Sequence, residues 1–253
     1  MISSVRVIGT GRAGSALAGR LRVTGLAVTT GREPLADADL ILLAVPDAAI
    51  AEVAGGVPIG PWVGHVSGAT SVTALAPHIR RFSLHPLQTL TLDRGPEQLD
   101  GAWAALTFET DEAGQVAHWL AQQLGLHPFV LADADKPLYH AGAAIASNFL
   151  VTLYDVAARL LVESGAPPEA LVPLMRRVIE NGFQLTGPIA RGDWATVDAH
   201  LAAIGERAAD VGPVYQALAE ATREVAADRA DRPTDRADRP TDRADRPTDK
   251  AGA

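Results

Sequence analysis

Residues 5–15 of the chain, VRVIGTGRAGS, decide its fold. The apolar start, from Val5 to Ile8, predicts a short buried strand, and the glycines after it follow the order G-x-G-x-x-G. In a strand–turn–helix unit the first glycine allows the tight turn, the second lets the backbone approach a pyrophosphate, and the third lets the helix pack against the strand. The helix that begins here also points unpaired N–H groups at phosphate oxygens. The stretch predicts a dinucleotide site, with a ligand-free glycine turn as the alternative. That site would be formed by Gly9, Thr10, Gly11, Arg12, Ala13 and Gly14.

Short apolar stretches alternate with helix-like segments as far as about residue 133. The stretch 39–45, DLILLAV, is typical of a strand that a parallel sheet buries on both faces. The alternation predicts an α/β fold, a doubly wound and mostly parallel Rossmann sheet, over residues 1–134. Its strands are predicted at residues 5–8, 25–30, 39–45, 62–66, 81–84, 105–108 and 129–131.

The pattern changes to helices alone from Lys136 onward. Apolar residues at helical spacing, among them Ala141, Ile145 and Phe149, predict one long helix that ends near Gly165. Shorter helices are predicted at 169–181, at 195–204 behind a cap at Asp193, and at 211–227. We therefore expect an all-helical C-terminal domain over residues 135–227.

The end of the chain, residues 228–253, repeats DRADRPT three times and begins a fourth repeat. The seven-residue period has no apolar seam and includes a proline in every repeat, which excludes a coiled coil. Balanced charges with few large apolar residues predict a disordered tail, and a docking arm is the alternative.

The composition narrows the possible partners and the compartment. The net charge of −8 argues against nucleic acid and anionic membranes as partners. The absence of cysteine fits a reducing compartment, and the N-terminus shows no leader pattern. The most apolar stretch, residues 141–162, contains Asn148, Asp155 and Arg159, so we expect no membrane span. We expect a cytoplasmic protein without a metal site, because no group of ligand residues has metal-binding spacing.

The second predicted strand ends in the sequence TGRE, at residues 30–33, where a dinucleotide fold meets the adenosine ribose. An arginine beside small hydroxyl residues suits the 2′-phosphate of NADP, whereas an acidic residue suits the 2′-hydroxyl of NAD. Thr30 and Arg32 favour NADP, although a shift of one residue would place Glu33 there, and Arg32 could also be a solvated loop charge. Val45 and Pro46, at the end of the third predicted strand, are expected to line the same cofactor.

Four polar residues are candidates for catalysis. Ser67 and His85 follow the ends of two predicted strands, and His140 and Asn148 lie two turns apart on the long helix. Reduction of a carbonyl or an imine needs hydride from the cofactor, a general acid, and hydrogen-bond donors at the reacting atom. A histidine would supply the proton, and Ser67 or Asn148 would orient the substrate. The alternatives are structural: a strand-end histidine for His85, an interdomain histidine for His140, and a turn cap for Ser67.

Several short segments form a recognisable set. They are residues 7–14 (VIGTGRAG), 44–47 (AVPD), 66–69 (VSGA), 84–89 (LHPLQT), 139–141 (YHA), 147–148 (SN) and 185–193 (LTGPIARGD). Together they resemble a bacterial family that joins an N-terminal Rossmann-like domain to a C-terminal helical domain of unassigned function. That family looks like a branch of the 6-phosphogluconate dehydrogenase-like superfamily, which includes pyrroline-carboxylate, ketopantoate and hydroxyacid reductases and prephenate dehydrogenase.

The resemblance implies roles for individual residues. Ser67 and His85 look like the serine and the histidine that prephenate dehydrogenases place at the substrate. The hydroxyacid enzymes carry a helix lysine four residues before an asparagine. If Asn148 is that asparagine, the lysine position is Ala144, which argues against hydroxyacid dehydrogenation. The TGP segment at 186–188 is similar to one in pyrroline-carboxylate reductases, whose helical domain dimerises, and so implies a homodimer.

These observations lead to one hypothesis about function. We expect an NADP(H)-dependent oxidoreductase that acts on a small keto acid or imino acid, with ketopantoate as one candidate, between its two domains. The alternatives are a non-catalytic dinucleotide-binding or redox-sensing protein, and an interaction protein that works through its repeat tail.

Overall fold

The computed structural model describes residues 2–35 and 37–231, with the side chain of Asp231 excepted. The described residues divide into two compact units, one ending at Leu150 and the other beginning at Val151, and each is described by itself. The change of sequence pattern predicts a boundary near residue 134, whereas this division follows Leu150. Lys136 explains why the first unit extends beyond residue 134, because its side chain is only 1% exposed and is hydrogen-bonded within that unit.

The first unit is built on one seven-stranded sheet with the order β2-β1-β3-β4-β5-β6-β7. All neighbouring strands run parallel except the antiparallel pair β5 and β6. This confirms the predicted doubly wound Rossmann sheet. The strands are β1 (Ser4–Ile8), β2 (Ala27–Gly31), β3 (Leu40–Leu43), β4 (Trp62–His65), β5 (Arg81–Leu87), β6 (Trp103–Phe108) and β7 (His127–Val130).

Two apolar layers cover the two faces of this sheet. Along β3, Leu40 and Leu42 join one core cluster, and Ile41 and Leu43 join the other, so the strand is buried on both sides. Helices α1 (Arg12–Val23) and α3 (Asp111–Gln123) pack in the first layer, and α2 (Ile50–Gly56) packs in the second. β5 continues past its predicted end at residue 84, because His85 and Pro86 pair with Ala105 and Ala104 of β6.

The predicted long helix is interrupted by one wide turn. Helix α4 (Lys136–Ala144) is followed by a π turn at Ile145–Phe149 and then by α5 (Leu150–Ser164). By length and composition, the helical stretch Asp133–Ser164 could cross a membrane, with a mean hydropathy of 1.5 in its most apolar window. Its first turn belongs to the fold of the first unit, since Lys136 is buried there.

The second unit continues as helices after α5. Its helices are α6 (Leu171–Glu180), α7 (Trp194–Arg207) and α8 (Gly212–Asp231). Asp193 caps α7 as predicted, by accepting a hydrogen bond from the N–H of Thr196 at 3.2 Å. A small core joins Ile204 and Val211 to Val156, Leu160 and Tyr215.

The predicted tail begins too early, because α8 extends beyond residue 227 to Asp231. One contact that holds the extra turn is the hydrogen bond from Arg229 Nη1 to the carbonyl of Phe183, at 2.6 Å. The prediction of disorder for residues 232–253 lies outside the described residues.

Candidate active site

A cavity of about 930 Å³ follows the carboxyl ends of β1, β3, β4 and β5 in the first unit. Ligands of open α/β sheets bind at this edge, where the strand order reverses, and here β1 is flanked by β2 and β3. The cavity wall combines the glycine loop, the ends of the strands, and one side of α4 with the π turn. Its lining includes Gly11, Arg12, Ala13, Ala44, Pro46, Val66, His85, Gln88, Thr89, Tyr139, His140, Ser147 and Asn148.

The three loop glycines are needed for different reasons. Gly9 has a φ of +114°, and a side chain there would overlap the carbonyl of Ala44. A side chain at Gly14 would overlap the carbonyl of Gly9, so this glycine permits the close approach of α1. A Cβ atom at Gly11 would meet nothing within 4 Å. Internal packing therefore explains Gly9 and Gly14, whereas Gly11 leaves open space on the cavity wall.

The start of α1 fits the phosphates of a dinucleotide. Gly11 occupies the N-cap position, no side chain caps it, and the first turn holds no acidic residue. The N–H groups and the positive end of the helix dipole are therefore offered to an anion. Arg12 and Ala13 lie on the same wall. Thr10 is exposed, and its carbonyl accepts a hydrogen bond from the Ser15 hydroxyl at 3.2 Å.

The predicted adenosine-ribose residues lie at the end of β2 and outside the cavity wall. Thr30 and Arg32 are both exposed. The segment after β2 is contacted by a residue that the sequence did not single out: Arg6 is 7% exposed, and its Nε donates to the carbonyl of Glu33 at 3.3 Å. Arg6 also forms an ion pair with Asp37 at 3.1 Å, so its two contacts fix the segment that follows β2. Of the other pair predicted to line the cofactor, Pro46 is on the cavity wall, whereas Val45 packs against an apolar core.

His85 lies on the cavity wall and is paired with a tyrosine. Its Nδ1 is 2.8 Å from the hydroxyl oxygen of Tyr139 on α4. Burial, followed by unfavourable electrostatic interactions with His140 and Lys136, lowers the pKa of His85 to about 4, so the His85 ring is neutral at neutral pH. Burial raises the pKa of Tyr139 to about 12, so its hydroxyl keeps its proton.

The rings of His140 and His85 both pack against the backbone of Gly68. Their ring centroids are 5.9 Å apart in an edge-to-face arrangement. A Cβ atom at Gly68 would be 2.7 Å from Cδ2 of His140 and 2.9 Å from Nε2 of His85. The missing side chain is therefore what lets both imidazoles reach the cavity wall.

The hydroxyl of Ser67 makes hydrogen bonds within the turn that follows β4 and with Asp47. It donates to the carboxylate of Asp47 at 2.7 Å and accepts the N–H groups of Ala69 at 3.2 Å and Thr70 at 2.9 Å. Ser67 is buried and does not line the cavity. This geometry favours the structural alternative, and a catalytic role for Ser67 stays a prediction.

A buried lysine ties this turn to the sheet. Lys136 Nζ donates to the carbonyl of Thr70 at 2.6 Å and to the hydroxyl of Ser83 at 2.8 Å. Burial lowers the pKa of Lys136 to about 8, against the opposing effect of the Asp133 and Asp47 carboxylates. The sequence shows this residue only as a single cation at the start of an apolar helix, a signal that does not distinguish a buried group from a solvated one.

Asn148 lies on the π turn and lines the cavity with Ser147. The Ser147 hydroxyl donates to the carbonyl of Ala143 at 2.7 Å, one of the carbonyls near the point where the helix widens. Turns of this kind are frequent at functional sites.

The structure thus brings His85, His140 and Asn148 to one cavity, together with Tyr139, which the sequence did not select. Among the described residues, no group of three or more histidine and acidic side chains could hold a metal ion.

The sheet order and the glycine loop define a Rossmann-fold protein with a helical C-terminal region. Residues 103–222 match a family model described as a domain of unknown function, DUF2520. No functionally curated protein shows significant sequence similarity to the chain.

Solved structures share this architecture over most of the chain. A protein from Bacteroides fragilis, described as a candidate NADP oxidoreductase, is 18% identical with a TM-score of 0.74, over 88% of this chain and 98% of its own. A protein from Thermotoga maritima is 24% identical with a TM-score of 0.71, over 89% and 99%. The pyrroline carboxylate reductase of Plasmodium falciparum, solved with NADP, is 13% identical with a TM-score of 0.54, over 89% and 97%. These similarities establish the shared fold.

Proposed function

We propose that the chain is an NADP(H)-dependent oxidoreductase that acts on a small keto acid or imino acid. The observation that carries the proposal is the content of a single cavity. The glycine loop contributes the open space at Gly11 and the start of α1, and the same cavity is also lined by His85, Tyr139 and His140. The first group suits a dinucleotide and the second suits proton transfer to a substrate.

In this proposal the residues of the chain bind and orient, and the bound dinucleotide supplies or accepts the hydride. Gly11, Arg12 and Ala13 hold its phosphates. Ala44 and Pro46 flank it at the end of β3, and Thr30 and Arg32 meet the ribose phosphate beyond β2. His85, Asn148 and Gln88, which line the same cavity, offer hydrogen-bonding groups to the substrate.

The first test uses Gly11, because a side chain there disturbs no internal packing. Gly11→Asp places a carboxylate against the phosphates and should abolish NADPH binding, measured by fluorescence titration, while the melting temperature stays unchanged. Gly55→Asp is the matched control, since Gly55 is exposed on α2 and also has open space around it. Equal NADPH affinity in wild type and Gly11→Asp would rule out this cofactor site.

The choice of NADP over NAD is tested at Arg32. Arg32→Ala should weaken NADPH binding at least tenfold and leave NADH binding nearly unchanged, because only NADPH carries the 2′-phosphate. Arg22→Ala removes an exposed positive charge from α1 and serves as the control. Equal losses for both dinucleotides in Arg32→Ala would contradict NADP preference.

The substrate is sought by measuring NADPH oxidation against a panel of keto acids, cyclic imines and ketopantoate. Turnover of any keto or imino acid supports the proposal. One observation favours a second candidate function: Ala144 stands where the hydroxyacid enzymes of the superfamily that the chain resembles carry a lysine. A dinucleotide-binding or redox-sensing protein would bind NADPH and turn over no member of the panel.

We also propose a cytoplasmic homodimer that pairs through the helical region. Helix α6 and its surroundings expose apolar side chains that a second copy would cover. They are Val162, Val172, Leu174, Val178, Ile179 and Phe183. Light scattering after gel filtration without detergent should give twice the chain mass, and Leu174→Glu should give the monomer, with Arg176→Glu as the control on the same helix. Recovery of the protein in the membrane fraction would contradict this proposal.

A further inference from the structure

The hydrogen bond between Tyr139 and His85 has a preferred direction. The phenol is the stronger donor and the imidazole nitrogen the stronger acceptor, so the Tyr139 hydroxyl donates to Nδ1 across 2.8 Å. Edge contacts fix the phenol ring, with centroids 5.6 Å from His85 and 5.9 Å from Phe129. A donated bond at Nδ1 leaves the proton of the neutral imidazole on Nε2.

His85 is surrounded by groups that keep it neutral. Three groups act electrostatically on the ring. Helix α4 contributes Lys136 and His140, and the segment after β3 contributes the carboxylate of Asp47. Burial, together with the electrostatic effects of His140 and Lys136, outweighs the effect of the Asp47 carboxylate, and the pKa of His85 falls to about 4. A neutral imidazole gives up its Nε2 proton readily only when Nδ1 receives another at the same time. The Tyr139 hydroxyl is the group in place to supply it.

We propose that Tyr139 and His85 form a proton-delivering pair for a carbonyl oxygen, so that the substrate is a ketone or an aldehyde rather than an imine. The inference rests on the oxidoreductase function proposed above. In the reduction, hydride from the dinucleotide adds to the carbonyl carbon, and the C=O π electrons move to oxygen. The Nε2 proton of His85 bonds to that oxygen, the Tyr139 proton moves to Nδ1, and the phenolate regains a proton from water.

The proton balance is what selects the substrate class. A phenol is more acidic than an aliphatic alcohol, so this transfer is favourable for a developing alkoxide. An imine is reduced as the iminium ion, which already carries its proton and needs no donor in the hydride step. The arrangement of Tyr139 behind His85 is therefore useful for a carbonyl and of no use for an iminium.

The first measurement needs neither cofactor nor substrate. Nitrogen NMR of the full chain at about pH 7 should show His85 neutral with its proton on Nε2, and Tyr139→Phe should shift the equilibrium toward the Nδ1–H form. Tyr154→Phe, a tyrosine of α5, is the matched control. An Nδ1–H tautomer or an imidazolium in the wild type would overturn the pair.

The second measurement is kinetic. With a carbonyl substrate, Tyr139→Phe should lower kcat by roughly 10²-fold with unchanged NADPH affinity, and the wild type should show a solvent deuterium isotope effect that the variant alters. Efficient turnover of imines, or equal kcat in both proteins, would overturn the proposal. Absence of turnover with both carbonyl substrates and imines would instead overturn the proposed function, and the substrate assignment with it. The tautomer measurement would still decide whether the hydrogen bond between Tyr139 and His85 exists as described.

Discussion

The ammonium group of Lys136 lies 2.6 Å from the carbonyl oxygen of Thr70, although Lys136 begins α4 and Thr70 follows β4. The same nitrogen donates to Ser83 on β5, so one buried cation links three elements around the cavity. Lys136→Met should lower the free energy of unfolding by about 2–3 kcal/mol, because it leaves buried acceptors without a donor. Urea denaturation measures this loss. Ser83→Ala, which removes one acceptor only, should have a smaller effect, and an unchanged midpoint in Lys136→Met would show that the bonds contribute nothing net.

Removing the same cation should change the titration of a histidine. The positive charge of Lys136 is one of the causes that lower the pKa of His85, so Lys136→Met should raise this pKa from about 4 toward the ordinary value of 6.5. Burial and His140 act in the same direction as Lys136 and stay in place, so the rise should be partial. Proton NMR titration of the His85 ring gives the value, and a pKa that stays the same or falls would contradict the electrostatic link.

Two histidines should make the protein sensitive to mild acid. Burial, followed by the charge of Lys136, lowers the pKa of His65 to about 4, the same value as for His85. In the unfolded chain both take up protons below pH 6.5, while the folded chain resists until about pH 4. The unfolded state then binds more protons, so the free energy of unfolding falls as the pH falls through this window and is insensitive to these groups above it.

For fully buried His65 this loss is on the order of 3 kcal/mol. Urea midpoints between about pH 7 and about pH 4.5 test it, and His65→Gln should flatten the dependence. Carboxylates act at lower pH: hydrogen bonds from Ser3 hold the pKa of Asp39 below its ordinary value, so its contribution is lost only in stronger acid. A flat profile across the histidine window would contradict the burial of both rings.

The glycine loop predicts a pair of substitutions with opposite outcomes for stability. Gly9→Ala should destabilise the fold by several kcal/mol, because the residue has a φ of +114° and the added carbon overlaps the Ala44 carbonyl. Gly11→Ala should leave the melting temperature within a few degrees of wild type, since the added carbon meets nothing within 4 Å. Differential scanning calorimetry compares the two. Similar losses in both variants would show that Gly11 is also required by packing.

If the proposed function is right, His85→Asn should lower turnover by roughly 10²-fold and leave NADPH affinity unchanged, because it removes a ring that lines the cavity and spares the glycine loop. Steady-state kinetics and fluorescence titration separate the two effects. His127→Asn, at an exposed position on β7, is the control. If His85→Asn turned over as fast as the control, His85 would be a structural residue.

The fold was predictable because its signals are local. The glycine loop, the buried strand at Leu40–Leu43 and the change to helical spacing near Lys136 each occupy a short stretch of chain and each has a physical meaning. The end of β5 was missed because His85 is held in the sheet by β6, a strand that lies some twenty residues further along, as its pairing with Ala105 shows.

The residues of the candidate site were predictable only in part, since the residues that contact one another come from distant positions in the chain. His85, His140 and Asn148 were selected because each is a polar residue at a strand end or on a helix face, and all three line the cavity. Tyr139 and Lys136 were missed because their roles depend on pairing and burial, with His85 in one case and with Thr70 and Ser83 in the other. A single sequence gives no signal for such pairings.

The residue types at positions 68, 85 and 140 depend on one another because of the packing at Gly68. Both imidazoles lie within 3 Å of the place that a Cβ atom would take, so any side chain there would collide with His85 and His140 at once. Related chains that keep both histidines should therefore keep this glycine, and chains that lose both are free to vary it. The pattern of co-variation among these three positions, rather than the presence of the glycine loop, would then separate relatives that retain the chemistry from relatives that retain the fold alone.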